Sequence, residues 1–335
     1  MMGTLQFRAF AQSSAPPIAL PHFTGQERFV TLKHMAQSSK ATPKRSASAP
    51  SAAITSRDNR WLKLFRAAIA GDRGDHGFVG VEGLRLVEAA LGSGLRVEAL
   101  LVSDSGERHM ARIAPVLAGG TQTLRTSDRL FTGIADTQSP QGIAALVTPR
   151  KTSVESLVSA TSLLVMLAGV QDPGNVGTIL RAAEAFGATG AATCSADGVG
   201  TANPFGPKAL RASAGSALRL PVVHGLAATN LITKLRVAGV KVYAAIAATE
   251  ENAMRTVRAA SPAMLPWEAD WKSPAAVLIG NEGAGLPEDI VRAADARVSI
   301  PQAAATTPIG VESLNAAMAA TVLLYEAMRQ RNTLR

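Results

Sequence analysis

The second half of this chain returns repeatedly to a short apolar run, at 163–168, 190–194, 241–247, 275–279 and 296–300, each apolar on both sides of its alternation. Strands that keep both faces out of water need helices on either side, which is how parallel strands of an α/β sheet read. The stretch "LLVMLAGVQDPGNVGTILRAAEAFGATG" at 163–190 shows the repeating unit. A buried strand enters a tight turn at Asp172, Pro173, Gly174 and Asn175, then a helix carrying one arginine, Arg181, among small and apolar neighbours. The last helical pattern opens at Ser313 and sets Leu314, Ala317, Met318 and Leu324 on a broad apolar face.

The front of the chain reads differently. The stretch "MAQSSKATPKRSASAPSAAITSRDNR" at 35–60 is rich in Ser, Ala, Lys and Pro and without hydrophobic periodicity, so a disordered basic tail is expected over residues 1–53. The same composition suits a transit peptide, a bacterial tail, or an overextended gene start with Met35 as the true start and residues 1–34 unexpressed. Order is expected from Ile54. "NRWLKLFRAAIAG" is a helix ending at Gly71, and "FVGVEGLRLVEAALGSG" is a short strand followed by a helix. "VEALLVS" is a buried strand, "QTLRTSDRLFTGIAD" a helix approach, and "GIAALVTP" a closing strand. The expectation is a small α/β domain at 54–148, a polar linker at 149–159 and a second domain at 160–335.

Charge narrows the partner. A net charge of +9 over 335 residues favours an anionic partner, nucleic acid first and an acidic membrane surface second. The apolar runs are too short to span a bilayer. Cys194 is the single cysteine, and His22, His34, His76, His109 and His224 show no zinc spacing, so a metal-free, cytoplasmic protein is expected. A transit peptide at 1–53 would instead imply organellar import.

Three segments place Gly, Asn, Ser or Glu directly after an apolar strand, where ligands bind in open α/β sheets. In "DPGNVGTILRAAEAFG" (172–187), Asn175 is expected to cap a helix beginning near Val176, and Arg181 either sits on the helix surface or faces a pocket. In "LIGNEGAGLP" (278–287), the spacing of Gly280, Gly283 and Gly285 is neither a dinucleotide fingerprint nor a phosphate-binding Walker loop. A mononucleotide-like ligand clasped by backbone groups stays open there. In "SIPQAAATTPIGVESLNAA" (299–317), Ser313 is expected to cap the last helix, with Asn315 in its first turn.

Together these segments resemble the SpoU, or TrmH, family of RNA ribose 2'-O-methyltransferases of the SPOUT superfamily. The family reads N-x-G-x-x-x-R, then a strand with G-x-E-x-x-G-L, then I-P and S-L-N. This chain has Asn175, Gly177 and Arg181; Gly280, Glu282, Gly285 and Leu286; Ile300, Pro301, Ser313, Leu314 and Asn315. "NPFGPKALRASAGSALRLPV", with Pro207, Lys208, Arg211, Ser213 and Gly215, is also family-like, and 54–148 looks similar to the family's small L30e-like RNA-binding domain.

The resemblance implies a SPOUT-type parallel sheet with a C-terminal trefoil knot, a homodimer, and methyl transfer from S-adenosylmethionine to a ribose 2'-hydroxyl of structured ribosomal or transfer RNA. It implies catalytic roles for Arg181, Asn175, Glu282, Ser313 and Asn315. Leu278, Ile279, Gly280, Asn281, Gly283, Ile300, Pro301 and Leu314 would hold the cofactor. Phosphate contacts are expected from Lys63, Arg66, Arg85, Arg108, Lys208 and Arg211. One departure concerns the cofactor loop: Gln302 stands where the family has Met, and "AAATTP" lengthens 302–309. The rival expectation is an inert RNA-binding module of the same fold; a nucleotide-binding enzyme without RNA fits the basic charge less well.

Overall fold

The computed structural model describes residues 52–72, 76–247, 262–303 and 313–332. The expected tail up to residue 51 and most of the 302–309 loop lie outside them.

A five-stranded sheet comes first: β1 (Ala52–Ile54), β2 (Val79–Glu82), β3 (Arg96–Ser103), β4 (Gln122–Thr126) and β5 (Ile143–Thr148), ordered β1-β4-β3-β5-β2. β1, β4 and β3 run parallel, whereas β5 is antiparallel to both β3 and β2. Helix α1 (Arg60–Ile69) begins where the Asn59 side chain accepts from Trp61 N, and it buries Leu62, Phe65, Ala68 and Ile69 with Leu101, Leu124 and Leu146 of the sheet. Helix α2 (Leu84–Gly92) packs Leu86, Val87 and Ala90 into a second apolar cluster with Leu100 and Val102, and that cluster continues into Leu210, Ala217 and Leu163 of the second half. Two short helices, α3 (Met110–Ile113) and α4 (Asp128–Thr132), complete this half. The segment expected as a helix approach divides: Gln122–Thr126 is a strand, with Leu124 and Thr126 buried between Leu101, Ser103 and β1, and the helix, α4, begins only at Asp128. The short helix α5 (Val154–Leu157), capped reciprocally by Ser153 and Ser156, occupies the polar junction.

The second sheet holds β6 (Leu163–Ala168), β7 (Gly190–Ala196), β8 (Val199–Gly200), β9 (Val222–Ala227), β10 (Lys241–Ile246), β11 (Ala275–Ile279) and β12 (Ala296–Ser299). Its order is β12-β10-β11-β6-β7, with β9 beside β7, and all of these pairs are parallel; only the two-residue β8 is antiparallel to its partner. β9 is absent from the sequence expectation because exposed His224 and Gly225 interrupt it. The register against β7 skips Gly225, which takes φ +84° as a bulge. The expectation that every strand is apolar on both faces fails at β12, where Arg297 and Ser299 alternate with buried Val298 on a strand near the sheet edge. Its outer side pairs with Met264: Met264 N donates to Arg297 O and Ser299 N donates to Met264 O, both at 2.9 Å.

Helices α6 (Pro173–Ala185), α7 (Pro207–Ala212), α8 (Ser216–Arg219), α9 (Ala228–Val237), α10 (Glu288–Ala293) and α11 (Ala316–Asn332) cover the second sheet. The contact between α6 and α7 is the tightest of those that position the site. A Cβ at Gly177 would lie 2.3 Å from Ala209 O, 2.7 Å from Ala212 Cβ and 2.9 Å from Ser213 N. The two helices thus meet backbone to backbone, which only glycine permits. Gly177→Val is expected to lower stability by about 1–3 kcal/mol through overpacking. A urea unfolding curve with an unchanged midpoint would show that the helices do not meet this way.

Candidate active site

Three loops leave the carboxyl edge of the second sheet side by side. They follow β6, β11 and β12, and the parallel register β6-β11-β10-β12 puts Ala168, Ile279 and Ser299 at one end. Glu282, in the loop after β11, joins the first two loops. Its carboxylate accepts from Gln171 N at 3.1 Å, Asp172 N at 3.0 Å and Asn175 Nδ2 at 2.9 Å. Asn175 Oδ1 then accepts from Asn315 Nδ2 at 3.2 Å, which brings in the third segment. Asn281 adds a second tie, donating from Nδ2 to Gly169 O at 2.9 Å.

Both expected caps are corrected. Asp172, not Asn175, caps α6: its Oδ1 accepts from Gly174 N at 3.0 Å, and Pro173 takes the first helical position, where its missing N–H costs nothing. Asn175 lies within the first turn, so its amide is free to bridge Glu282 and Asn315. At the last helix Asn315, not Ser313, is the cap, its Oδ1 accepting from Ala317 N at 2.8 Å and Met318 N at 3.3 Å. Ser313 is exposed two residues earlier, outside the Glu282–Asn175–Asn315 chain.

Arg181 is exposed on α6 beyond Asn175, about 9 Å along the axis at 1.5 Å per residue, and no carboxylate among the described residues pairs with it. Leu278, Ile279 and Gly280 are buried, so a ligand at this edge would meet their backbone alone. The loop from Gly280 to Gly285 closes on itself: Asn281 and Gly285 exchange N–H···O bonds of 3.0 Å, while Asn281 Oδ1 accepts from Gly283 N and Ala284 N at 2.9 Å. Open space faces the Cα of Gly285, and Gly283 meets only Asn281 Oδ1 at 3.7 Å. Ile300 is half-buried, Pro301 is exposed and Leu314 is 39% exposed.

The expected phosphate ligands are scattered. Lys63 lies 3.9 Å from Asp58, Arg66 Nε donates to Gly133 O at 3.2 Å, Arg108 Nε to His109 Nε2 at 3.3 Å, and Arg85 is exposed on α2. Lys208 Nζ is 2.5 Å from Asp172 Oδ1, and Arg211 Nη1 is 2.6 Å from Asp136 Oδ2. Of these, Lys208 alone touches a residue of the three loops. Asp172 and Asp136 were missed by sequence reasoning. An Asp directly before Pro at a helix start was the available signal for the first, and nothing local marks the second.

Crowding on its protein side pushes the Glu282 carboxyl up, but the hydrogen bonds from Asn175, Gln171 and Asp172 outweigh it and hold it below the usual carboxylate range. The group stands at an exposed rim, so it stays ionised and serves as an acceptor rather than a base. Lys208, with Gly174 N, lowers the Asp172 carboxyl in the same direction. Burial pushes the Cys194 thiol up to about 12, which removes it as a nucleophile. Among the described residues no cluster of His, Cys, Asp or Glu could hold a metal ion, and no helix is long and apolar enough to cross a membrane.

Residues 162–325 match the model of the SpoU rRNA Methylase family, and residues 71–145 match that of an MRM3-like substrate binding domain. An uncharacterized tRNA/rRNA methyltransferase of Synechocystis sp. is 33% identical, over 84% of this chain and 94% of that protein. The 23S rRNA (guanosine(2553)-2'-O)-methyltransferase RlmP of Bacillus subtilis is 34% identical, over 73% of this chain and 86% of its own length. The AdoMet-bound crystal structure of an rRNA methyltransferase from Sinorhizobium meliloti superposes with a TM-score of 0.66 at 30% identity, covering 83% of this chain and 97% of that one.

The lowered Glu282 value makes a pH prediction. A carboxyl depressed on folding contributes stability that is present above its unfolded value, about 4.3 for Glu, and lost as pH falls through its folded value. Glu282→Gln should therefore be less stable than the parent at pH 7, and the gap should narrow as pH drops below about 4.3. A gap constant down to pH 3 would show that Glu282 carries no charge-assisted bonds.

Proposed function

The chain belongs to the SpoU rRNA methylase family, and on that premise we propose that it transfers a methyl group from S-adenosylmethionine to a ribose 2'-hydroxyl of structured ribosomal or transfer RNA. The observation that carries this reading is the Glu282–Asn175–Asn315 chain, which unites three loops at the carboxyl edge of a parallel sheet. The donor fits this site. Backbone groups around Leu278, Ile279, Gly280, Asn281 and Gly283, with Ile300, Pro301 and Leu314, would hold it, and open space lies before the backbone at Gly283 and Gly285. When bound, S-adenosylmethionine supplies an electrophilic methyl carbon on a sulfonium, for which no metal is needed.

The chain's own residues supply position and field. A guanidinium stays protonated in proteins, so Arg181 is no base; it binds the target phosphate and favours developing negative charge on the 2'-oxygen. Asn175, Glu282, Ser313 and Asn315 fix the loop and the ribose, since an aligned hydroxyl needs less activation. Lys63, Arg66, Arg85 and Arg108 add phosphate contacts from the first half. Lys208 and Arg211 are held to carboxylates at 2.5 and 2.6 Å, against 3.9 Å for Lys63 and Asp58, and are left out of this set.

In the same reading, 54–148 is an L30e-like RNA-binding domain, 149–159 a linker and 160–335 the methyltransferase domain with a trefoil knot. The substrate-domain match at 71–145 supports the first assignment. The homodimer rests on α11, where Met318, Val322 and Tyr325 are 57%, 40% and 51% exposed at helical spacing beside the site, with Leu314, 39% exposed, just before the helix. Monomers seldom leave such a stripe bare. We place the protein in the cytoplasm.

Calorimetry should show S-adenosylmethionine or S-adenosylhomocysteine binding without metal; no binding of either would leave the inert module. Arg181→Ala should lower the single-turnover rate by about 100-fold or more while keeping most donor affinity. A rate within about twofold of the parent would remove Arg181 from the chemistry. The substrate follows from mapping 2'-O-methyl positions in RNA from cells with and without the gene, and an unchanged map would count against the reading.

A further inference from the structure

Helix α7 is gripped at both ends of one turn by different parts of the molecule. Lys208 Nζ holds Asp172, the residue that caps α6 and whose N–H bonds Glu282. One turn later, Arg211 Nη1 holds Asp136, which follows the first sheet's α4 and whose own N–H donates to Glu82 Oε2 at 2.8 Å. Thr137 Oγ1 donates to the other oxygen of the same Glu82. Glu82 ends β2, so the grip on Asp136 is anchored in the first sheet.

We propose that α7 is a lever that couples the seating of RNA on the first sheet to the alignment of Asn175 and Arg181, with Lys208 and Arg211 as positioning residues rather than phosphate ligands. This rests on the methyltransferase reading. The Gly177 contact sets the backbone of α7 and the Ala212 methyl directly against α6, so a movement of α7 toward α6 displaces α6. On its other side α7 borders a small cleft lined by Glu82, Leu86, Pro207 and Arg211, so its second neighbour is the first sheet. Both ion pairs are about half exposed, so each adds little to stability and can re-form at small cost. A phosphate ligand would be better served by a cation without a carboxylate already at 2.5 or 2.6 Å.

Hydrogen–deuterium exchange on the full chain, free of donor and RNA, tests the lever without reference to activity. Asp136→Asn and Arg211→Gln should each speed exchange at the amides of 171–178 while leaving the core strand 163–168 protected as in the parent, and the swapped pair, Asp136→Arg with Arg211→Asp, should restore the parent pattern. Unchanged exchange at 171–178 in both single variants overturns the lever. In methyl transfer to ribosomal RNA purified from cells lacking the gene, each single variant should lower kcat by about three- to fivefold with KM within about twofold, and the double neutral variant should be no worse than either single one. A raised KM for Arg211→Gln together with a lowered KM for Asp136→Asn makes Arg211 a phosphate ligand and overturns the lever. If the parent transfers no methyl group, the functional reading fails, and the exchange result still decides the lever.

Discussion

The site depends on one carboxylate. Glu282 takes hydrogen bonds from two backbone N–H groups of the loop after β6 and from one side-chain amide in the first turn of α6, all far from it in sequence. Without it, Gln171 N and Asp172 N would lose their acceptor, and the Asn175 amide would lose the partner that turns it toward Asn315. A charged acceptor serving several donors is worth more than the same bonds made by neutral groups, and its ionised state follows from those bonds. The motifs are therefore one constellation rather than neighbours at a sheet edge.

The scaffold beneath that constellation is stiff where the chemistry needs it. Helix α6 is clamped from below by the glycine contact with α7 and by its buried face of Val176, Ile179, Leu180 and Ala183, which leaves Arg181 on the outside. Helix α11 is held at its far end by Arg331. That guanidinium donates to the carbonyls of Trp271, Thr161, Ser162 and Ser273 at 2.6–3.0 Å, so the helix that begins with Asn315 cannot slide along the sheet. Burial disfavours the charged form of Arg331 and lowers its pKa, yet a guanidinium stays charged, and the carbonyls replace its lost water.

Local patterns made most of the second sheet legible. β6 and β11 appear at their expected residues because continuous apolar runs bounded by Ser or Pro on one side and Gly on the other have few other uses in a layered fold. The helix approach expected over this segment holds only at Asp128–Thr132, since Gln122–Thr126 alternates weakly and gains its strand partners only from β1 and β3. β9 was hidden by His224 and the bulged Gly225, which break the very alternation that marks a strand. The caps failed for a related reason: several residues at each helix start are competent caps, and which one serves depends on what the others are bonded to.

The sequence by itself determined the layered α/β class, the run of buried strands, and the residue types gathered at their carboxyl ends, because burial and backbone hydrogen bonding leave a clear mark on local composition. Only the tertiary structure decided that Glu282 binds Asn175 rather than solvent, that Asp172 and Asn315 are the caps, and that Lys208 and Arg211 face carboxylates. Each of these is a choice among polar partners that are all satisfied in water. Such choices are settled by which loops the strand order brings within about 3 Å of one another, and a linear pattern does not record that.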